Sequence, residues 1–155
     1  MARAGEELFN PLSGEWIVFR LTAEETGGEL LEMESRWTLP GRRAPAHVHP
    51  GMQERWQILA GTAGFRVGDV ERTAAAGEAV IAPAGVAHVA WNAGEAPVRL
   101  LIQMRPALRW EAFVERLFVL ARDAHAAGLR APDAASVGEL LLEFPHEIAL
   151  EPAGG

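Results

Sequence analysis

Residues 41–61 read GRRAPAHVHPGMQERWQILAG, and residues 77–92 read GEAVIAPAGVAHVAWN. The first stretch sets His47 and His49 two apart, so on an extended strand both imidazoles point to one face. Glu54 follows, and Pro50-Gly51 supplies the bend that would return it toward the same point. His88 stands in the second stretch. Neutral imidazoles and a carboxylate are what a divalent transition metal takes from a protein that offers no thiolate, and this chain has no Cys. Taken alone, H-x-H is also what a surface loop with two histidines looks like.

The composition narrows the chemistry. A length of 155 residues suits one domain with an enclosed core, and a hydrophobic content of 49% is too high for a disordered chain. No apolar run approaches the roughly 20 residues of a membrane span. The N-terminal residues lack the apolar core of a signal peptide, and without cysteines no disulfide framework suggests secretion. A cytoplasmic protein is the expectation. Net charge is −7, with the basic residues scattered singly apart from Arg42-Arg43, which disfavours nucleic acid and leaves a small molecule as the expected partner. The chain has no Lys and no Tyr, so Schiff-base chemistry and a tyrosine acid are excluded. Catalysis falls to His, Glu, Asp, Arg, Ser, Thr or a bound metal.

On either side of the two stretches the apolar pattern has a period of two. Residues 31–39 alternate Leu31, Met33, Ser35, Trp37 and Leu39 with Glu32, Glu34, Arg36 and Thr38, which predicts a strand with one face inside. Further strands are expected at 16–21, 54–60, 79–82, 87–91 and 98–104. Residues 65–72 form a hairpin with Gly68-Asp69 as its turn. Residues 1–11 read as a mobile or edge segment. After Pro106 the spacing becomes helical, with apolar residues at Trp110, Phe113, Val114, Leu117 and Phe118. Gly128 is its natural stop. A second, shorter helix is expected over 134–144, capped by Asp133 or Ser136, and the tail from 151 is expected to fray. Strands followed by helices imply an all-β barrel or sandwich, over residues 16–105, with a C-terminal helical appendage at 107–146.

The two stretches resemble the paired signature motifs of the cupin superfamily. The first matches at Gly41, His47, His49, Glu54 and Gly61, the second at Gly77, Pro83, Gly85, His88 and Asn92. The spacer of 15 residues, 62–76, is similar to that of small microbial cupins. The resemblance implies a double-stranded β-helix, a jelly-roll barrel spanning one domain over 1–155, with a metal inside one open end. It implies His47, His49, Glu54 and His88 as the metal ligands, one divalent ion (Fe, Mn, Ni, Cu or Zn) per chain, and structural roles for Pro83 and Asn92. The motif spacing selects Glu54 over its neighbour Gln53, which is left at the rim.

Trp37, Trp56, Ile58, Phe65 and Met104 are the candidates to line a substrate pocket, and equally what a barrel needs to be filled. The activity implied is that of a metal-dependent enzyme on a small organic molecule, similar to quercetin dioxygenase-like cupins, with Glu54 as the catalytic base. A metal-dependent isomerase, cyclase or lyase, and a non-enzymatic metal- or ligand-binding module, are the alternatives. The helix after Pro106 either caps the barrel of its own chain or packs at a dimer interface, and a homodimer is expected. His125 and His146, in the helical tail, are assigned to no metal.

Overall fold

The computed structural model describes residues 2–151, and its strands fall where apolar and polar residues alternate. In chain order these are β1 (Glu7–Asn10), β2 (Glu15–Leu21), β3 (Leu31–Trp37), β4 (His47–Val48) and β5 (Gln53–Ala60). They continue with β6 (Thr62–Val67), β7 (Val70–Ala75), β8 (Ala79–Ala82), β9 (His88–Asn92) and β10 (Val98–Arg105). Two helices follow, α1 (Trp110–Ala126) and α2 (Ala134–Glu143), and a last short strand, β11 (Ala149–Leu150).

The strands make two antiparallel sheets, ordered β1-β2-β3-β10-β5-β8 and β11-β4-β9-β6-β7. Several strands adjacent in space are remote in sequence, as β10 between β3 and β5 illustrates. That is the wrapping of a double-stranded β-helix. Inward positions of β2, β3, β5 and β10 close the core: Ile17, Phe19, Leu31, Met33, Trp56, Ile58, Leu100 and Met104 are all buried. Burying an aliphatic or aromatic side chain of this size contributes roughly 1.5–3 kcal/mol. The hairpin between β6 and β7 turns at Gly68-Asp69, as its sequence requires. Gly61 sits at φ 81°, and a Cβ there would meet the Pro97 carbonyl oxygen at 2.7 Å, so no other residue fits the junction of β5 and β6.

The N-terminal segment pairs as an edge strand on β2, the second of its two expected readings. Several boundaries differ from the expectation. Strand β3 ends at Trp37 rather than 39, because the Thr38 hydroxyl donates to the Gly14 carbonyl and draws the chain off the sheet. Leu39 is consequently exposed, not inward. Helix α1 starts at Trp110, four residues beyond Pro106, since Leu108 takes a left-handed φ of 43° that a helix cannot contain. It closes at Gly128, φ 76°, with the Leu129 amide returned to the Ala124 carbonyl. Asp133, not Ser136, caps α2, accepting from the Ser136 amide at 3.1 Å. The frayed tail was expected from 151; Glu151 is tied down by the Ala46 carbonyl and by Arg66, and residues 152–155 lie outside the described residues.

Candidate metal centre

Three elements bring the histidines and the glutamate to one end of the barrel. His47 lies in β4 and is the direct cross-strand partner of His88, at the start of β9. His49 follows β4 and opens the turn at Pro50-Gly51. The Gly85 amide, in a turn at φ 80°, donates to the His49 carbonyl at 3.0 Å and fixes the second motif against the first. Glu54 comes from β5 in the other sheet, so the cluster spans the two sheets. On β5 the pleat points Glu54 inward and leaves Gln53 half-buried at the rim.

One ligand atom from each of His47, His49, Glu54 and His88 lies within 4.8 Å of the others. Ligands each about 2.1 Å from a single ion are separated by up to roughly 4 Å, so the set is close to a coordination sphere. Tautomers reinforce this. His47 Nδ1 donates to the Pro45 carbonyl at 3.1 Å, His49 Nδ1 to Glu147 at 2.8 Å, and His88 Nδ1 to Val86 at 3.1 Å. A carbonyl only accepts, so each Nδ1 carries the hydrogen and each neutral Nε2 presents a lone pair. Yet His49 Nε2 and His88 Nε2 stand 2.8 and 3.1 Å from Glu54 Oε2, itself an acceptor. Acceptors facing acceptors need a proton or a cation between them. The donor set fits a divalent transition metal.

Titration in the metal-free state follows the same geometry. Burial opposes the charge on Glu54, but hydrogen bonds from His49 and His88 outweigh it and hold the carboxyl well below its usual range. Burial also works against protonating His49, and there too the Glu54 carboxylate wins, so His49 moves up. Burial, helped by the two other imidazoles, pushes His47 down to about 4. A proton drawn to His49 Nε2 beside Glu54 would compete with an ion for the same place.

Beside the cluster is a cavity of about 360 Å³. His47, Glu54 and His88 form one wall; Trp37 and Trp56 line it from β3 and β5. Ile58, Phe65 and Met104 do not. They are almost wholly buried and pack the closed part of the barrel, Phe65 with its ring 5.0 Å from that of Trp56. The rest of the wall comes from a source read in the sequence as structural. Trp110, Phe113, Val114, Leu117 and Phe118 of α1 cover the barrel mouth, and Trp110 meets the His49 ring edge-on at 4.7 Å. The apolar stripe of α1 thus caps its own barrel and is at the same time cavity wall. Glu15 also lines the cavity, and alternation with Ile17 and Phe19 is the signal that would have marked it as inward. Asn92 is structural: its amide bonds the Trp37 and Ala96 carbonyls and the Gly94 amide. His125 is in the last turn of α1 and His146 is exposed, both outside the cluster.

The fold and site define a double-stranded β-helix with a three-histidine, one-glutamate cluster at its capped end. Residues 38–104 match the family profile described as a cupin domain. Among solved structures, a predicted oxalate decarboxylase from Thermotoga maritima is 21% identical at TM-score 0.57, covering 66% of this chain and 92% of that one. An uncharacterized protein with a double-stranded beta-helix domain from Klebsiella pneumoniae is 23% identical at TM-score 0.51, covering 70% and 84%. A sugar phosphate isomerase of the cupin superfamily from Silicibacter pomeroyi is 19% identical at TM-score 0.51, covering 61% and 60%. At such identities the likeness is one of fold. Together with the profile match, it supports placing the chain in the cupin superfamily. No curated protein matches the chain in sequence. No helix among the described residues is long and apolar enough to cross a membrane.

Proposed function

We propose that the protein is a metal-dependent enzyme acting on a small, largely apolar organic molecule, with dioxygenase chemistry as the leading assignment. The observation that carries this reading is the cavity itself: about 360 Å³, walled by Trp37, Trp56 and the apolar face of α1, and open to His47, Glu54 and His88. A merely structural ion needs no chamber beside it. Oxalate and sugar phosphates, named for two of the structural neighbours, are anions. Among the described residues no Arg lines this cavity, and the chain has no Lys, so the walls offer an anion no cationic side chain beside the metal and favour an apolar ligand.

His47, His49, Glu54 and His88 would hold the metal, which when bound supplies an open coordination position with Lewis-acid or redox capacity. The residues of the chain do the rest. The Pro45, Glu147 and Val86 carbonyls orient the imidazoles, and the indoles of Trp37, Trp56 and Trp110 with Phe113 exclude water from the reacting face. Glu54, the one carboxylate shared by cluster and cavity wall, is placed to take a proton from a substrate hydroxyl or enolisable carbon.

The test loads metal-free protein separately with Fe(II), Mn(II), Ni(II), Cu(II) and Zn(II), then screens flavonols, catechols and diketones for dioxygen uptake. Uptake with one metal and one substrate class supports the assignment. Metal-dependent conversion without dioxygen would move it to isomerase or lyase chemistry, and the absence of any turnover to a binding module. We also propose a homodimer in a cytoplasmic setting; a monomer mass in sedimentation at micromolar concentration would remove the dimer.

A further inference from the structure

Glu15 is the one carboxylate in the cavity wall, among the described residues, that does not belong to the metal cluster. It opens β2, where Ile17 and Phe19 point inward and Trp16 outward. Its Oε2 accepts from the Ser35 hydroxyl at 2.8 Å and from the Trp37 indole at 3.2 Å. Both donors are thus satisfied by one oxygen, and Oε1 has no hydrogen-bond partner among the described residues. Holding Ser35 and Trp37 requires a single acceptor, which an uncharged Gln would supply. The second oxygen is surplus to that role, and it is not among the buried atoms left without a partner, so it stays accessible to a ligand in the cavity that Glu15 lines. Glu15 and Trp37 also line a smaller adjoining cavity of about 100 Å³, which no residue of the metal cluster touches.

We propose that Glu15 orients the ligand, its Oε1 exchanging a hydrogen bond with a hydroxyl, and that the ligand is accordingly an apolar, ring-bearing alcohol or phenol. This deepens the reading of the cavity as a substrate chamber and rests on it. The tryptophan faces of Trp37 and Trp56 supply flat apolar contact, and Glu15 supplies the one polar fix away from the metal. A hydroxyl suits this carboxyl better than an ammonium does. Burial pushes Glu15 up, partly offset by the Ser35 and Trp37 hydrogen bonds, and a hydroxyl pairs with either protonation state while an ammonium pairs only with the ionised one. A cationic ligand would also be repelled by a divalent ion held in the cluster that lines the same cavity.

The experiment compares binding of 2-naphthol and 2-methoxynaphthalene, which share a ring system and differ in whether the oxygen can donate. Affinities are measured by titration calorimetry at neutral pH on Zn(II)-loaded protein, with no turnover required. The natural chain is expected to prefer the naphthol by roughly tenfold, the worth of one net hydrogen bond. Glu15→Leu should bring the ratio to about one. Glu15→Gln preserves the acceptor for Ser35 and Trp37 but turns an amide NH2 to the cavity, and should lower the ratio by favouring the ether. An unchanged ratio in both variants would overturn the proposal. So would a preference lost in His47→Ala but kept in Glu15→Leu, which would put the hydroxyl on the metal, and so would failure of folded protein to bind either probe. A failed dioxygen screen leaves these ratios intact, so the two readings fall separately.

Discussion

The imidazole of His49 and the backbone of Glu147 are joined by a 2.8 Å hydrogen bond, Nδ1 donating to a carbonyl 98 residues further along the chain. A residue of the first motif is thereby aimed by the segment that follows α2. Deleting residues 147–155 should weaken metal binding by about 10–100-fold, the usual loss when an outer partner of a ligating histidine is removed. Competition titration against a chelator measures it. Ile148→Ala, which removes a wall contact and leaves the carbonyl, is the control and should leave affinity nearly unchanged. Equal affinity in the truncated chain would show that the carbonyl does not orient His49.

Glu54 and Gln53 are neighbours with opposite directions on β5. Glu54→Ala removes a ligand and should cost more metal affinity than the loss of an outer partner, at least about a hundredfold. Gln53→Ala should leave it nearly unchanged, since that side chain sits at the rim. Equal losses in the two variants would mean that the pleat of β5 is misassigned.

How far these placements were legible in the sequence depended on whether the signal was local. Alternation over 31–39 and the Gly68-Asp69 turn are properties of a few adjacent residues; the hairpin lies where the pattern put it, and the strand does too, two residues shorter than expected. His47, His49, Glu54 and His88 were readable because paired motifs fix their spacing. The cavity wall was not. Ile58, Phe65 and Met104 alternate inward as Trp56 does, and a period of two says which face a side chain occupies, never whether that stretch of core is filled or hollow. The apolar stripe of α1 likewise announced a covered face without saying that the cover would leave a chamber. Glu15 escaped notice because the strand was begun at Trp16, one residue late, and the inward phase of a charged residue was lost.

Trp110 tests the division between cap and cluster. Its indole lies edge-on to His49 and stacks on Phe113 with ring centres 4.8 Å apart. Trp110→Ala should destabilise the fold by roughly 2–3 kcal/mol, less than the ~3–5 of a fully packed site, because one side already faces the cavity. Chemical denaturation of metal-free protein measures it. Metal content should stay the same, since His49 is fixed from its other nitrogen by Glu147. Loss of metal in a folded variant would show that the indole, and not the carbonyl, holds the imidazole.

Acid should expel the metal, and the direction of each shift says where. In the metal-free protein His49 is raised by its hydrogen bond to Glu54, against the opposing effect of burial, so the proton on Nε2 must leave before an ion can bind. Affinity is then level above the raised pKa of His49 and falls as pH drops below it, by about tenfold or more for each unit, one proton being displaced per ion. Glu54 does not compete over this range, because its carboxyl is held well below the usual carboxylate region. His47 stays neutral until about pH 4, where its protonation steepens the fall. Titrations with Zn(II) in two buffers of different ionisation enthalpy would count the protons released. At least one proton per ion is expected just below the His49 transition. Metal uptake with no proton release there would mean that His49 carries no proton to displace at its 2.8 Å contact with Glu54.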